Sequence, residues 1–306
     1  MPCSWSAADA KPEDFHVVAH GSVLALKKRH SECHEESEET SRWDTRTQTS
    51  GIVFYHEIVK DIVSSLNETE HPRVLMLGLG GGALAGEVLC HTPVIESFTS
   101  VELLQPVIDI ARAHFLPLIF NGSCAAAQSK LRIVQGDAFK VAELFATKAP
   151  LFTHTYIGID PLAAADCYDG PPGWYEDLAS VSALNARLYV NVGIDTPAEI
   201  RCARATMRRM LDAGWSDTRL LISKNNWRND DSNVAVVGRL VARVGCGAGA
   251  RVSQCLTSTD SLPIWLLLLG CFCIVAQLCR CKSRWCHRSE YRHVLPEPKE
   301  ADPGVY

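Results

Sequence analysis

What the 306-residue sequence lacks narrows it first. It has no excess of positive charge, with 30 lysines and arginines against 35 aspartates and glutamates, and no basic stripe runs through the body of the chain. A general nucleic-acid binder usually carries such a stripe, so no nucleic-acid partner is expected. It has no C-x-x-C pair either: of 13 cysteines, eight are scattered from Cys3 to Cys255 and five crowd between Cys271 and Cys286. That scatter predicts buried or free thiols in a reducing compartment instead of a disulfide framework. The opening "MPCSWSAADAKPEDF" shows neither a basic n-region nor an apolar core, so no cleavable signal peptide is read there.

A composition that is 47% hydrophobic is enough to bury a sizeable core, and the length fits one or two domains. One run stands apart. Leu262 to Cys279, "LPIWLLLLGCFCIVAQLC", is 18 residues without a formal charge, and at about 1.5 Å per residue it reaches about 27 Å, close to a hydrocarbon core. It reads as a buried core helix or as a transmembrane helix, and the abrupt basic flank "RCKSRWCHR" favours the second. The expectation is a single-pass, C-terminally anchored membrane protein whose domain faces the cytosol, in the outer mitochondrial, peroxisomal or endoplasmic reticulum membrane. The free thiols and the missing leader support that orientation, whereas the positive-inside rule applied to the basic flank opposes it. Cys279, Cys281 and Cys286 beside the span are candidates for acylation, and their spacing does not suit zinc, so no metal is expected. Asn67-Glu-Thr and Asn121-Gly-Ser match glycosylation acceptors, which count only if the domain is luminal.

Residues 14 to 29 look like short strands around a glycine turn, and "ECHEESEET" from Glu32 reads as a solvated loop. From about residue 56 strands and helices alternate. Strands are predicted at Val74–Leu77, Ser97–Glu102, Leu131–Gln135, Thr155–Ile159, Arg187–Val192, Thr218–Ile222 and Asn233–Val237, with a helix at Ala198–Ala213 before the last pair. The pattern implies an α/β fold: a doubly wound, mostly parallel seven-stranded sheet, Rossmann-like, with a small N-terminal β-region. The last two strands have only a loop between them and predict a hairpin that places an antiparallel strand at one edge. The expected organisation is an N-terminal β-region at 1–55, an α/β domain at 56–244, a linker at 245–261, the transmembrane helix at 262–279 and a basic, Cys-containing tail at 280–306.

"RVLMLGLGGGALAGEVL", residues 73 to 89, is a strand that breaks into glycines and resumes as a helix. Such a turn lets backbone approach a ligand, and the helix start offers free N–H groups to an anion. A phosphate loop is excluded because no Gly-Lys-Ser/Thr follows. Gly78-x-Gly80-x-x-Ala83 fits a dinucleotide fingerprint, with Glu102 at the distance expected of a ribose-binding acid, but this motif alone does not separate NAD from S-adenosylmethionine. Asp137, just past the third strand in "LRIVQGDAF", is placed to accept a hydrogen bond from an adenine amino group. The candidate cofactor-binding set is therefore Gly78, Gly80, Gly81 and Gly82, Glu102 and Asp137 with its neighbour Ala138. The alternative is that Glu102 and Asp137 merely cap helices.

These segments, with "YHEIV" at 55, "VELLQPVIDIARAHF" at 101, "GDAF" at 136 and "DPLAAADCYDGPPGWY" at 160, resemble the spermidine synthase superfamily. The resemblance runs from about residue 14 to 240 and implies a small N-terminal β-region on a class I methyltransferase-type core, with S-adenosylmethionine or its decarboxylated form as ligand. It also implies that Tyr55 and His56 stand in the place of substrate and cofactor contacts, and that Gln48 loosely matches a family glutamine. Two departures matter. Gly81 occupies the place of the amine-binding aspartate of aminopropyltransferases, and Ala163 stands where the second aspartate of D-x-x-D-P should be, although Asp160 matches the first; Asp166 and Asp169 lie too far along to substitute. Because a buried ammonium needs a counter-charge, polyamine synthesis is not expected. The loop is more similar to the superfamily's methyltransferase-like members. The leading expectation is an S-adenosylmethionine-dependent methyltransferase acting on a protein or small-molecule acceptor, with Asp160 or Tyr55 as base and a homodimer as one available state. The alternatives are a noncatalytic membrane-bound binding protein of the same fold, an aminopropyltransferase, and a nicotinamide-binding enzyme.

Overall fold

A computed structural model of the chain describes residues 11–28, 38–50, 56–145, 151–159, 170–194, 197–224 and 232–241. The chain divides into units Met1–Gly247 and Ala248–Tyr306, and every described residue belongs to the first. The expected linker, apolar run and basic tail lie outside the described residues. Among the described residues no helix is long and apolar enough to cross a membrane.

Strands β1 (Phe15–His20) and β2 (Val23–Lys28) form the anticipated hairpin, turning at Gly21 with φ of +57°. A third strand, β3 (Glu38–Asp44), pairs antiparallel with β2 and departs from the sequence expectation, because the last three residues of the acidic stretch enter it. The reason lies downstream. Ser41 and Trp43 alternate onto the buried face, with Trp43 fully enclosed, and that anchor draws the polar residues before it into the pairing.

Helix α1 (His56–Asn67) buries Ile58, Val59, Ile62 and Leu66, an i, i+3/i+4 stripe, against the larger sheet. The remaining order is β4 (Arg73–Leu77), α2 (Ala83–His91), β5 (Ser97–Glu102), α3 (Gln105–Ile110), α4 (Leu116–Ile119), β6 (Leu131–Gln135), α5 (Val141–Phe145), β7 (Phe152–Ile157), α6 (Trp174–Val181), β8 (Ser182–Ile194), α7 (Pro197–Asp212), β9 (Trp215–Lys224) and β10 (Ser232–Leu240). A wide π-type turn, Ala111–Phe115, joins α3 to α4, and a 3-10 run, Gly122–Lys130, leads into β6.

The seven strands lie in the order β6-β5-β4-β7-β8-β10-β9. All neighbours from β6 to β8 are parallel, whereas β10 runs antiparallel to both β8 and β9. The expected hairpin is present, but its antiparallel member is β10, inserted between β8 and the edge strand β9. Burial explains the insertion: Val234, Ala235 and Val236 are fully enclosed, whereas Ile222 on β9 is 46% exposed, so the more apolar strand takes the inner place.

Strand β4 shows how the sheet divides two cores. Val74 and Met76 face one cluster, shared with α1, α2 and the N-terminal residues Phe15, Leu26 and Trp43. Leu75 and Leu77 face the other, shared with α5, α6 and α7. The period-2 alternation of four apolar residues supplies both faces of a doubly wound sheet.

The thiols do not follow the sequence expectation. Cys90 at the end of α2 is disulfide-bonded to Cys124 in the 3-10 run, with Cα atoms 5.3 Å apart, and Cys202 is disulfide-bonded as well. The 34-residue separation carries no motif; the pair meets because the 3-10 run packs across α2.

Candidate functional site

Three glycines stand where parallel strands end. Gly78 N–H donates to the Val101 carbonyl at 2.8 Å, Gly158 N–H to Leu77 at 2.9 Å and Gly136 N–H to Glu102 at 2.9 Å, so each loop is tied to its neighbour one residue beyond the strand. Gly78 has φ of +90°, and a Cβ there would stand 2.9 Å from the Gly158 carbonyl oxygen. Any side chain would wedge the central strand from β7.

Glu102, half-buried at the end of β5, holds the glycine loop open. Its Oε2 accepts from Leu79 N–H at 2.9 Å and Gly80 N–H at 3.4 Å, and its Oε1 accepts from Leu104 N–H at 3.0 Å. Asp137 Oδ1 accepts from Phe139 N–H at 2.9 Å and so caps a short 3-10 turn, Ala138–Lys140. Both acids therefore do serve backbone N–H groups, and both also line one cavity, of about 270 Å³, together with Gly78 and Gly80. A carboxylate has about four lone-pair sites, so these contacts leave acceptor capacity toward the cavity. Leu103, Leu104, Val107, Ala138 and Phe139 give it apolar walls. The Ala138 wall is fixed from behind, since Trp174 Nε1–H donates to the Ala138 carbonyl at 3.0 Å and the Trp174 ring meets Phe139 edge-on at 5.0 Å. Helix α2 is preceded by Gly82 as its N-cap residue, φ +80°, without a side-chain cap, so its first N–H groups remain available to an acceptor.

Gly81 and Gly82 do not line the cavity. A Cβ on Gly81 would come within 2.8 to 3.0 Å of three atoms of the Phe115 ring, and one on Gly82 within 2.8 Å of Leu116. Phe115 is fully enclosed and has no room to retreat. The Phe115 ring thus leaves no space for a side chain at Gly81.

His56 is the first residue of α1, and nothing further is described of its side chain. Tyr55, Asp160, Ala163, Asp166 and Asp169 lie outside the described residues. Gln48 is spent locally: its Nε2 donates to the Thr45 carbonyl at 2.7 Å, and it does not line the cavity.

Several lining residues carried no signal in the sequence. Phe15, Lys28, Thr40, Ser41 and Ser50 bring the N-terminal region over the cavity, and Lys28 is only 7% exposed. Asn191 reaches it from β8, with its Oδ1 buried and unpartnered. One sign was legible: Glu87 is an acid inside the apolar stretch of α2, and in the fold it is buried and accepts from Ser50 N–H at 2.8 Å, pinning that segment to the helix. Among the described residues no group of three or more His, Cys, Asp or Glu side chains converges on a metal position.

A second polar cluster lies deeper in the sheet. His154 is enclosed between Ser65 Oγ, 2.7 Å from Nε2, and Thr153 Oγ1, 3.0 Å from Nδ1. Since the Thr153 hydroxyl donates to the Arg73 carbonyl at 3.0 Å, it accepts from Nδ1–H, which makes Nε2 the acceptor from Ser65. Burial holds the imidazole pKa down at about 4, and Arg187 adds to this against the opposing charge of Asp61. Burial, and next the Asp61 charge, raise the Tyr189 hydroxyl, which donates to Asp61 at 3.0 Å. The adjoining void is about 10 Å³, no larger than a single water, so the cluster is structural.

No protein-family model matches this sequence, and no curated protein matches it. Solved structures do. A spermidine synthase from Thermotoga maritima aligns with a TM-score of 0.50 over 73% of this chain and 71% of its own, at 14% identity. A spermidine synthase in complex with the transition-state analogue AdoDATO gives 0.50 over 73% and 71%, at 15%. An O-methyltransferase from Streptomyces achromogenes in complex with SAM gives 0.44 over 61% and 79%, at 11%. At these identities the likeness is one of fold alone.

Proposed function

We propose that the chain binds S-adenosylmethionine and transfers its methyl group to a protein or small-molecule acceptor. The observation that carries this reading is the meeting of Gly78, Gly80, Glu102 and Asp137, from three consecutive strand ends, around one apolar-walled cavity. In this assignment Glu102 accepts from the ribose hydroxyls, Asp137 from the adenine amino group, and the uncapped start of α2 faces the methionine carboxylate. Ala138 and Phe139 supply the wall for the flat ring. Methyl transfer needs only a nucleophile held in line with the sulfonium carbon: the new bond forms to carbon, the C–S pair returns to sulfur, and a base takes the nucleophile's proton. Asp160 and Tyr55 remain the proposed bases. Asp160 directly follows Ile159 in the sequence and Tyr55 lies five residues after Ser50, and both Ile159 and Ser50 line the cavity.

Aminopropyl transfer fits less well, because a bound diamine requires carboxylates. Phe115 fills the space beside Gly81 and Lys28 adds a cation to the lining. A noncatalytic binding protein is the second reading, favoured by one observation: Glu102 already engages three loop N–H groups. Anchoring through 262–279 and assembly as a homodimer belong to the same proposal.

Calorimetry on the purified chain tests the ligand. Binding of S-adenosylmethionine or its demethylated product, with none of NAD, is expected; NAD binding without a response to the sulfonium ligand would falsify the assignment. Labelled methyl incorporation into a lysate then separates enzyme from binding protein.

A further inference from the structure

We propose that the folded unit resides in an oxidising, glycosylating lumen, with N-glycans on Asn67 and Asn121 and residues 280–306 on the cytosolic side of the membrane. Three independent observations carry this, none of which depends on what the cavity binds.

The first is the pairing of thiols. Cys90, near the end of α2, is joined to Cys124 in the exposed 3-10 run, and Cys202, on α7 at the opposite face of the sheet, is also bonded. Cross-links at two separate places are those of a chain that meets an oxidising compartment, because cytosolic thiol systems keep such cysteines reduced.

The second is the placement of the acceptor asparagines. The sequence contains two Asn-x-Ser/Thr sites, with Glu68 and Gly122 at the middle positions, where only proline would forbid transfer. Both asparagines are exposed. Asn67 is the last residue of α1, and Asn121 precedes the 3-10 run without using its side chain to cap it. Neither lines the cavity, so a glycan at either position projects from an element end and obstructs nothing described.

The third is the charge on either side of the apolar run. Arg280, Lys282, Arg284 and Arg288 follow Leu262–Cys279 closely, whereas the 17 residues before it contain one arginine, Arg251, and one aspartate, Asp260. The positive-inside rule puts the heavier side in the cytosol and the folded unit across the membrane. The opposite expectation set free thiols against this flank, and the disulfides remove that ground. What remains of it is the composition of the first residues, and compartment chemistry can be read directly.

The test uses the native protein, recovered by antibody from membranes of its source cells after thiol alkylation of the intact cells. Expected are a faster-migrating band after peptide N-glycosidase, an Asn-to-Asp mass change at residue 67 or 121, and a Cys90–Cys124 linked peptide that takes label only after reduction. A glycan on either asparagine together with the linked peptide supports the luminal placement. Unmodified peptides at both asparagines overturn it, as does alkylation of Cys90 or Cys124 before reduction. Because neither readout involves S-adenosylmethionine, failure here leaves the ligand assignment standing, and failure of ligand binding leaves this placement standing.

Discussion

Asp137 carries two duties that one substitution separates. Its Oδ1 caps the turn that presents Ala138 and Phe139, and its other oxygen is assigned to the adenine amino group. In Asp137→Asn the amide oxygen retains the Phe139 N–H, since asparagine caps about as well as aspartate. The amide nitrogen then meets the adenine amino group, donor against donor, and rotating the amide to serve the ligand opens the cap. The unliganded fold should keep its stability within about 0.5 kcal/mol, because the change leaves the cap and the apolar walls intact. Binding should weaken by about 1–3 kcal/mol, the cost of leaving a buried donor unsatisfied, which is roughly a 5- to 150-fold rise in Kd. Asp137→Ala serves as the control: it loses the cap as well, so it should lower the melting temperature of the empty protein and weaken binding together. Calorimetric titration with S-adenosylhomocysteine, paired with thermal melts of both variants without ligand, measures the two duties apart. An unchanged Kd in Asp137→Asn would refute the adenine assignment and leave Asp137 as a cap alone.

Gly81→Asp, which restores the aminopropyltransferase carboxylate, should cost about 1–3 kcal/mol through overpacking against Phe115 and give no spermidine by chromatography; spermidine above the no-enzyme control refutes this. Cys90→Ala opens a cross-link spanning 34 residues and should lose about 2–4 kcal/mol, and the wild type should fall at least as far in reductant, which also opens the Cys202 bond; a reductant-insensitive melt refutes the bond. His154 has a folded-state pKa of about 4 against an ordinary 6.5, so between those values the unfolded chain binds the extra proton. Its contribution is full above pH 6.5 and lost as pH falls toward 4, about 3 kcal/mol in all. Chemical denaturation at pH 7 and pH 4.5 should show a loss that His154→Gln reduces, and equal slopes in both proteins refute it.

How much of this could be read in advance follows from how local each signal is. The strand-glycine-helix passage from Arg73 to Leu89 was legible because strand period, glycine turn and helix start are all written within 17 consecutive residues. Glu102 and Asp137 were legible as strand-end acids, but their capping bonds were not separable from a ligand role, since the same oxygen geometry serves both. Lys28 and Asn191 were invisible because each belongs to a strand whose sequence gives no hint of what its end will face. Likewise the antiparallel strand was expected at an edge and lies inside as β10, because hairpin connectivity says that two strands pair, not which one lies inside. The cysteines failed for the most general reason. Cys90 closes a helix and Cys124 sits in a 3-10 run beyond β5, α3 and α4, so their proximity is a product of the finished topology. Spacing rules detect cysteines that share one loop or one metal; they are blind to a pair that only packing brings together.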